Sequence, residues 1–500
     1  MMRKRYPSDT SWGCNKKHLA IFMIILMLLF GISSPLWNLF ARVSHDGSKP
    51  YQVHISLGDT LSEMTVMWAT VAEGEAGVLY GKSSQLDMVA LGESKKFVKT
   101  NEEGMHNIHR VQLRNLELDT VYYYKVRTGR YSSRTFSFRT LSEDSNWTPE
   151  VIILADMGSS SKSIRSVQTQ VQRGNITAVF HVGDFAYNLN SNGGERGDEF
   201  LNRIEGIASR TPYMTCPGDH EAFDKFMHYM YRFSMPHSPW PIPLDKLWYS
   251  INIGQAHFVF YSTTLYQSNP EVAKIQNDWL FKDLSQANKE RTLRPWIVVL
   301  GHKPLYCSKS VKFTQECNSK DSVIRENVER MFYDFKVNLI FSGHVHAYER
   351  YYPLYENVVM QRNYINPVAP VSIITALTGI SVVPESYDEE NPRTAYRMAS
   401  ENREAFGKLK IINSTHLSWE VVYSDTLQSL DKMLMVQTKL PIVTEETISR
   451  LKSYMKDRIL ADAKWVLTEK IHSTLYLILY LFGLSAIPTF LIVLFKFLRK

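Results

Sequence analysis

Between its two ends the sequence has no long basic run, no internal repeat and no low-complexity tract. Without a basic run there is no electrostatic footprint of a nucleic-acid binder. The net charge is only +7, and much of the excess sits at the ends, in Arg3, Lys4, Arg5, Lys16 and Lys17 and in Lys496, Arg499 and Lys500. Disorder is disfavoured by 44% hydrophobic content and by 27 Tyr, 24 Phe and 10 Trp. At 500 residues the chain has room for two or three domains. Cysteine is sparse, at four. Cys14 falls in the basic N-terminal tail. Cys307 and Cys317 are close enough to bridge a short loop, which leaves Cys216 as a free, buried thiol.

Long apolar runs occur only near the termini. Leu19–Leu36 and Leu475–Phe495 carry no charge. A bilayer-spanning helix needs about 20 apolar residues. The second run meets that despite Pro488, and the basic residues after it weigh against a removed lipid-anchor signal. The first is a signal anchor or a signal peptide; the long polar stretch before it and the lack of a clear cleavage site favour the anchor. Both have their positive flank on the terminal side, so both termini are expected in the cytosol and the rest outside it. N-x-Ser/Thr acceptors at Asn146, Asn175 and Asn413 fit that placement.

From 50 to 140, short β-rich runs (QVHISLG, MTVMWAT, AGVLYG, HRVQLRNL, TVYYYKVRTG and RTFSFRT) are separated by turn residues and predict a β-sandwich. The pattern Leu116-x3-Thr120-x-Tyr122-x-Tyr124-x-Val126 resembles the tyrosine-corner strand of a fibronectin type III module, with Trp68 as its core tryptophan. After Glu150 the pattern becomes α/β: VIILADMG, AVFHVGDFAY, YMTCPGDHE, WIVVLGHKP and NLIFSGHVHAYER are apolar strands running into polar, glycine-containing loops. In open α/β sheets, sites form beyond the carboxyl ends of such strands. Ile448, Leu451, Met455, Ile459 and Leu460 then give a helical spacing, a stalk or packing helix.

Just past those five strands stand Asp156, Asp184 with Tyr187, Asp219 with His220, His302, and His344 with His346. A lone Asp after a strand is commonly a helix cap, and a lone His is usually packed or solvated. Five consecutive loops, each with a ligand-competent residue, point instead to a metal site. A carboxylate such as Asp184 can bridge two ions, and an ion pair about 3.5–4 Å apart clamps the attacking and leaving oxygens of a phosphoryl group.

The blocks ADMG, GDFAYN, GDHE, VVLGHKP and GHVHAYER resemble, in order, the five metallophosphoesterase blocks in the form used by purple acid phosphatases. Residues 50–435 are similar to the animal type with its fibronectin-like domain. The resemblance implies that Asp156, Tyr187 and His346 bind Fe(III), that Asp184 bridges to a divalent Zn, Fe or Mn, and that His302 and His344 bind the second ion. It further implies that His220 sits beside the phosphate, hydrogen bonding to its oxygens or assisting the leaving group, and that Cys307 pairs with Cys317. One departure stands out: the family's third block carries Asn where this chain has Asp219, another oxygen ligand but with a negative charge. Two unit charges about 4 Å apart interact by roughly 4 kcal/mol at an effective dielectric near 20, a figure bound ions would offset.

The expected fold class is therefore α/β, a four-layer α/β/β/α metallophosphoesterase sandwich, preceded by an all-β fibronectin III-like sandwich and flanked by terminal transmembrane helices. The expected divisions are a cytosolic basic tail (1–18), the signal anchor or peptide (19–36), the fibronectin-like domain (45–142), the catalytic domain (148–437), an amphipathic stalk helix (438–473), a transmembrane helix (474–495) and a basic cytosolic tail (496–500). The function implied is a membrane-anchored acid phosphatase acting on phosphomonoesters, with its catalytic domain lumenal or extracellular in the secretory or endolysosomal pathway or at the cell surface. A phosphodiesterase of the same fold and a weakened pseudoenzyme serving as a binding module are the rivals; Tyr187 argues against the first. A homodimer stays open, and no nucleic-acid partner is expected. Glu349 and Arg350 read as an ion pair buttressing the last loop. Gly193-Gly194 borders the site or is only a turn.

Overall fold

The computed structural model describes residues 49–98, 105–308, 317, 322–379, 393–399, 403–458 and 472–474. The apolar runs Leu19–Leu36 and Leu475–Phe495 lie outside these residues. Among the described residues no helix is long and apolar enough to cross a membrane.

The chain begins with two facing sheets. One has the order β1-β2-β6-β5, from Tyr51–Leu57 (β1), Met64–Thr70 (β2), Glu93–Val98 (β5) and Met105–Leu113 (β6). The other runs through Met88–Leu91 (β4), Ala76–Gly81 (β3), Val121–Thr128 (β7) and Tyr131–Ser132 (β8), with Phe136–Arg139 (β9) also on β7. Inward residues alternate along β7, where Tyr122, Tyr124 and Val126 are buried, as a half-buried strand requires. The tyrosine corner is present: Tyr122 Oη accepts from the Glu117 N–H at 3.0 Å. Trp68 is buried, as expected, and its Nε1–H donates to Thr128 Oγ1 at 2.8 Å. Strands β4 and β5 are not apparent from the sequence. β4 is only four residues long, an apolar run too short to stand out, and β5 (ESKKFV) is mostly polar; both lie at sheet edges.

The second unit stacks two larger sheets. The first has the order β12-β11-β10-β22-β23-β24, from Glu150–Leu154 (β10), Ala178–Val182 (β11), Tyr213–Cys216 (β12), Ala405–Ile411 (β22), His416–Tyr423 (β23) and Ser429–Val436 (β24). The second has the order β13-β14-β15-β16-β20-β17-β21, from Tyr249–Ile253 (β13), Ala256–Phe260 (β14), Trp296–Leu300 (β15), Leu339–Ser342 (β16), Ala347–Tyr351 (β17), Val371–Thr375 (β20) and Thr394–Ala399 (β21). A small hairpin, Leu354–Tyr355 (β18) with Val358–Val359 (β19), lies outside both. The two sheets meet through aromatic contacts: Phe180 lies 5.0 Å from Phe258 and 5.1 Å from Phe260, and Phe341 lies 4.7 Å from Trp419.

Helices close the outer faces. Ser163–Gln172 (α1) and Glu195–Ala208 (α2) flank the first sheet; Met227–Arg232 (α3) and Leu265–Ser268 (α4) are short; Pro270–Lys289 (α5) and Val323–Asp334 (α6) flank the second. A further helix, residues 445–458 (α7), packs on α5 and α6. Leu451 is 1% exposed, Lys452 caps the Phe281 ring, Arg330 lies over Tyr454, and Arg458 meets Glu326. The expected amphipathic helix is thus a packing helix through 458, and the rest of 438–473 is described only at 472–474.

One aspect of the sequence reading changes. Glu349 and Arg350 do not pair with each other. Successive strand residues point to opposite faces, so on β17 Tyr348 and Arg350 both bond Asp431, while Glu349 accepts from Ser308 on the other side. Gly193 and Gly194 form a turn with φ of 66° and 97°, leading into α2. The Cys307–Cys317 disulfide is present, with Cα atoms 5.6 Å apart, and Cys216 is a buried free thiol.

His109 gives the N-terminal sandwich a pH dependence. Its ring stacks on Trp68 and lies between Thr70 Oγ1 and Ser94 Oγ, each at 2.7 Å. Burial lowers its pKa to about 4. A histidine with a depressed folded pKa is held neutral, so the unfolded chain binds the extra proton as pH falls from the ordinary value toward 4, and stability is lost over that window. The loss attributable to His109 is about 2 kcal/mol between pH 7 and pH 5. Urea unfolding of the wild type and of His109→Gln at both pH values measures it. Equal pH dependence in the two proteins would contradict this origin.

Candidate metal centre

Each expected ligand sits where a parallel strand ends. Asp156 follows β10, Asp184 and Tyr187 follow β11, Asp219 follows β12, His302 follows β15, and His344 and His346 follow β16. The first three strands belong to one sheet and the last two to the other. The site therefore lies at the seam of the sandwich, at the carboxyl ends of both sheets, the place expected in an open α/β sheet.

The backbone reaches this geometry under strain. Asp156, Asp184, Tyr187 and His344 have φ of 58°, 55°, 53° and 66°. Left-handed conformations cost non-glycine residues about 1–2 kcal/mol each, and such strain gathers at functional sites. Gly183, at φ 80°, is required: a Cβ there would stand 2.6 Å from His302 Nδ1 and 2.7 Å from the Gly218 nitrogen.

Two donor groups adjoin. In one, Asp184, Asp219, His302 and His344 each offer a ligand atom, all within 4.8 Å of one another. His302 Nε2 lies 3.2 Å from Asp184 Oδ2 and 3.1 Å from Asp219 Oδ1, and His344 Nδ1 lies 3.0 Å from that same Asp219 oxygen. In the other, Tyr187 Oη lies 2.8 Å from His346 Nε2 and 3.4 Å from Asp156 Oδ1, and His346 Nε2 is 3.3 Å from Asp156 Oδ1. The two are joined by the His344 N–H, which donates to Asp156 Oδ2 at 2.9 Å. All seven expected ligands are thus brought together, Asp219 among them.

The donor chemistry fits cations. His302 Nδ1–H donates to the Val182 carbonyl, which leaves Nε2 turned toward the carboxylates. Buried His302 Nε2 and Asp219 Oδ1 have no hydrogen-bond partner. Burial would lower the His302 pKa, but Asp184 and Asp156 outweigh it and hold the ring well above its ordinary value. Burial would raise Asp219, but the imidazoles of His302 and His344, 3.1 and 3.0 Å from its Oδ1, hold it far below the usual carboxylate range. Burial, then Asp156 and Asp184, push the Tyr187 phenol far up, so its ionisation needs a positive charge at the site.

His220 stands beside these groups, half-exposed, with Nε2 3.8 Å from Asp184 Oδ2. Its Nδ1–H donates to Asn188 Oδ1 at 2.7 Å, and its own N–H donates to Asp184 Oδ1 at 3.0 Å. Nε2 is therefore the atom free to hold or release a proton toward a substrate.

Two supporting residues were missed in the sequence. Glu221, fully buried, accepts N–H bonds from Asp184, Phe185 and Gly218 and so ties the second block to the third. Burial and then Asp184 push its pKa up to about 8. Asn188 orients His220. Both are the final letters of blocks already singled out, GDHE and GDFAYN, so the signal was present but carried no ligand role. The asparagines of the three N-x-Ser/Thr triplets, Asn146, Asn175 and Asn413, are all exposed. Asn146 precedes β10, Asn175 precedes β11, and Asn413 follows β22, which is antiparallel to β10, so all three lie at the pole opposite the ligands.

Three family descriptions match in tandem: "Purple acid Phosphatase, N-terminal domain" over residues 50–140, "Calcineurin-like phosphoesterase" over 149–348, and "Iron/zinc purple acid phosphatase-like protein C" over 369–432. The chain is 33% identical over 448 residues to "Acid phosphatase type 7" of Homo sapiens, covering 84% of this chain and 95% of that protein. It is 29% identical to the "Phosphoenolpyruvate phosphatase" of Allium cepa over 74% of this chain and 78% of that one. Among solved structures, the purple acid phosphatase PPD1 of yellow lupin (Lupinus luteus) seeds superposes with a TM-score of 0.67 at 22% identity, over 80% of this chain and 76% of that one.

Asn188→Ala frees the His220 ring, and loss of one hydrogen bond is worth about 0.5–1.5 kcal/mol. The expected result is a kcat lower by up to about tenfold, with metal content unchanged. An unchanged kcat would show that Asn188 does not position His220.

Proposed function

The chain belongs to the purple acid phosphatase family, and from that premise we propose that it works as a membrane-tethered phosphomonoesterase on the non-cytosolic side of a secretory, endolysosomal or surface membrane. It is a metal-dependent acid phosphatase, and its family uses a dinuclear centre of iron with a second metal. The observation that carries the reading is the pair of adjoining donor groups, one of which contains a phenol. Tyr187 with Asp156 and His346 would hold the ferric ion, because a phenolate is a hard anionic donor. Asp184, Asp219, His302 and His344 would hold the divalent ion, with Asp184 shared between the two.

When bound, such a pair supplies positive charge to the phosphoryl oxygens and makes a nucleophile available from water near neutral pH. The chain's own residues do the rest. His220, fixed by Asn188, presents Nε2 to the phosphate or to the leaving oxygen. Glu221 keeps the Asp184 and Asp219 loops in register. Asp219 lends an extra negative charge to the divalent position, which favours cation retention and weakens phosphate binding relative to a neutral amide. The uncharged 475–495 run and the three exposed acceptor triplets support the tether and the non-cytosolic placement.

Turnover of p-nitrophenyl phosphate and bis(p-nitrophenyl) phosphate, from acid to neutral pH, tests the reading. The monoester is expected to be the preferred substrate. Asp184→Asn is expected to lower its turnover by more than about 100-fold, beyond what loss of a supporting contact costs. Preference for the diester, or an Asp184→Asn enzyme with both metals and full activity, would contradict the assignment.

A further inference from the structure

The direction in which the chain leaves the catalytic unit bears on what the site can reach. α6 starts at the pole carrying the metal ligands, after β15 and its loop, and ends at the opposite pole, where Val337 leads into β16. α7 lies against it in the reverse sense. Arg450 is close enough to Lys336, at the far pole, to depress its pKa further below burial's effect. One turn on, Arg330 covers the Tyr454 ring at 4.3 Å. At its end Arg458 bonds Glu326, in the first turn of α6, at 3.4 Å, and lies near Tyr266 of α4. From Arg450 to Arg458 the helix rises about 12 Å toward the ligand pole.

The other described end leaves at the same pole. Tyr51 Oη hydrogen bonds His106, whose Nε2 lies 3.0 Å from Asp198 Oδ2. Asp198 is in the first turn of α2, which begins directly after the loop that carries Tyr187 and Asn188. In the sequence, uncharged runs lie beyond both exits, Leu19–Leu36 before the first and Leu475–Phe495 after the second.

The surfaces of the two poles differ in the same sense. Asn146, Asn175 and Asn413 are all at the far pole, where bulky hydrophilic glycans would keep that face in water. At the ligand pole the rim carries an apolar tip. Phe223 is 53% exposed, its ring 6.0 Å from that of His220, on a turn where Asp224, Lys225 and Phe226 all have positive φ. Exposed Lys225 is on the same turn, and exposed Lys162 immediately precedes α1 in the loop that follows β10. An aromatic tip beside lysines suits an anionic bilayer interface.

We propose that the metal centre opens toward the bilayer that tethers the chain, and that its substrates are phospholipids with a terminal phosphomonoester headgroup in the same leaflet. This rests on the tethered phosphomonoesterase reading above. In the reaction the oxygen of water bonds to phosphorus as the phosphorus–oxygen bond to the lipid breaks. The lipid alkoxide takes up a proton and stays in the bilayer as an alcohol, and inorganic phosphate leaves.

The test uses the full chain reconstituted in phosphatidylcholine vesicles containing phosphatidate. Phosphate release is compared with that from the same amount of phosphatidate in separate, protein-free vesicles, and with p-nitrophenyl phosphate in solution. Shared-membrane phosphatidate is expected to turn over more than about 100-fold faster than the separated lipid, because tethering raises its effective concentration. Phe223→Ser is expected to lower the ratio of lipid to p-nitrophenyl phosphate turnover by about tenfold. A fluorophore at Ser160→Cys should be quenched by a headgroup-borne quencher and one at Asn413→Cys should not.

Turnover of p-nitrophenyl phosphate with no shared-membrane advantage would overturn the proposal and leave the phosphatase reading standing. Quenching at position 413 instead would place the opposite pole on the bilayer and overturn it too. Failure to float with the vesicles would remove the tether, and inactivity on both substrates would remove the phosphatase premise itself.

Discussion

Everything in the catalytic unit answers to one electrostatic constraint. Three aspartates, a tyrosine and three histidines aim their donor atoms at a small, largely buried volume, and that arrangement is tolerable only with positive charge among them. The contradictory pulls on these groups express it: His302 is held far up by carboxylates, Asp219 far down by imidazoles, and the Tyr187 phenol cannot ionise unaided. Cations resolve all three at once. The left-handed backbone at Asp156, Asp184, Tyr187 and His344 is the mechanical counterpart, since it turns each side chain back into the seam directly after its strand.

The two-sheet sandwich follows from the same need. A single parallel sheet offers ligands along one line, whereas two sheets packed through Phe180, Phe258, Phe341 and Trp419 bring the ends of β10, β11 and β12 opposite those of β15 and β16. Glu221 and Asn188 convert proximity into fixed geometry. The buried Arg350–Asp431 pair, with Tyr348 on the same carboxylate, ties β17 of one sheet to β24 of the other. Removing one partner of such a pair costs about 3–5 kcal/mol, because the other is left charged and buried.

The ligands were legible in the sequence because each follows an apolar strand in a loop with few other polar candidates. What was not legible depended on the third dimension. Arg350 finds Asp431 across 81 residues, a pairing that no local pattern encodes, and strand alternation forbids the neighbouring Glu349. Strand β4 was hidden because its apolar run is only four residues long, and β5 because an edge strand facing water needs no apolar run. Helix α7 was seen as an amphipathic segment, but only the burial of Leu451 and the contacts of Tyr454 and Arg458 show that the catalytic unit runs through 458. A fragment cut at 440 would strip this cover from α5 and α6.

The central claim is that the seven donors hold two metal ions, one of them ferric iron on Tyr187. Its most direct test is the metal content and visible absorption of the purified protein, made through a secretory pathway and ending no earlier than residue 458. The account predicts about two metals per chain, iron among them, and a purple tyrosinate-to-iron band that Tyr187→Phe abolishes while the fold persists. A well-folded, colourless protein with no bound metal would contradict it.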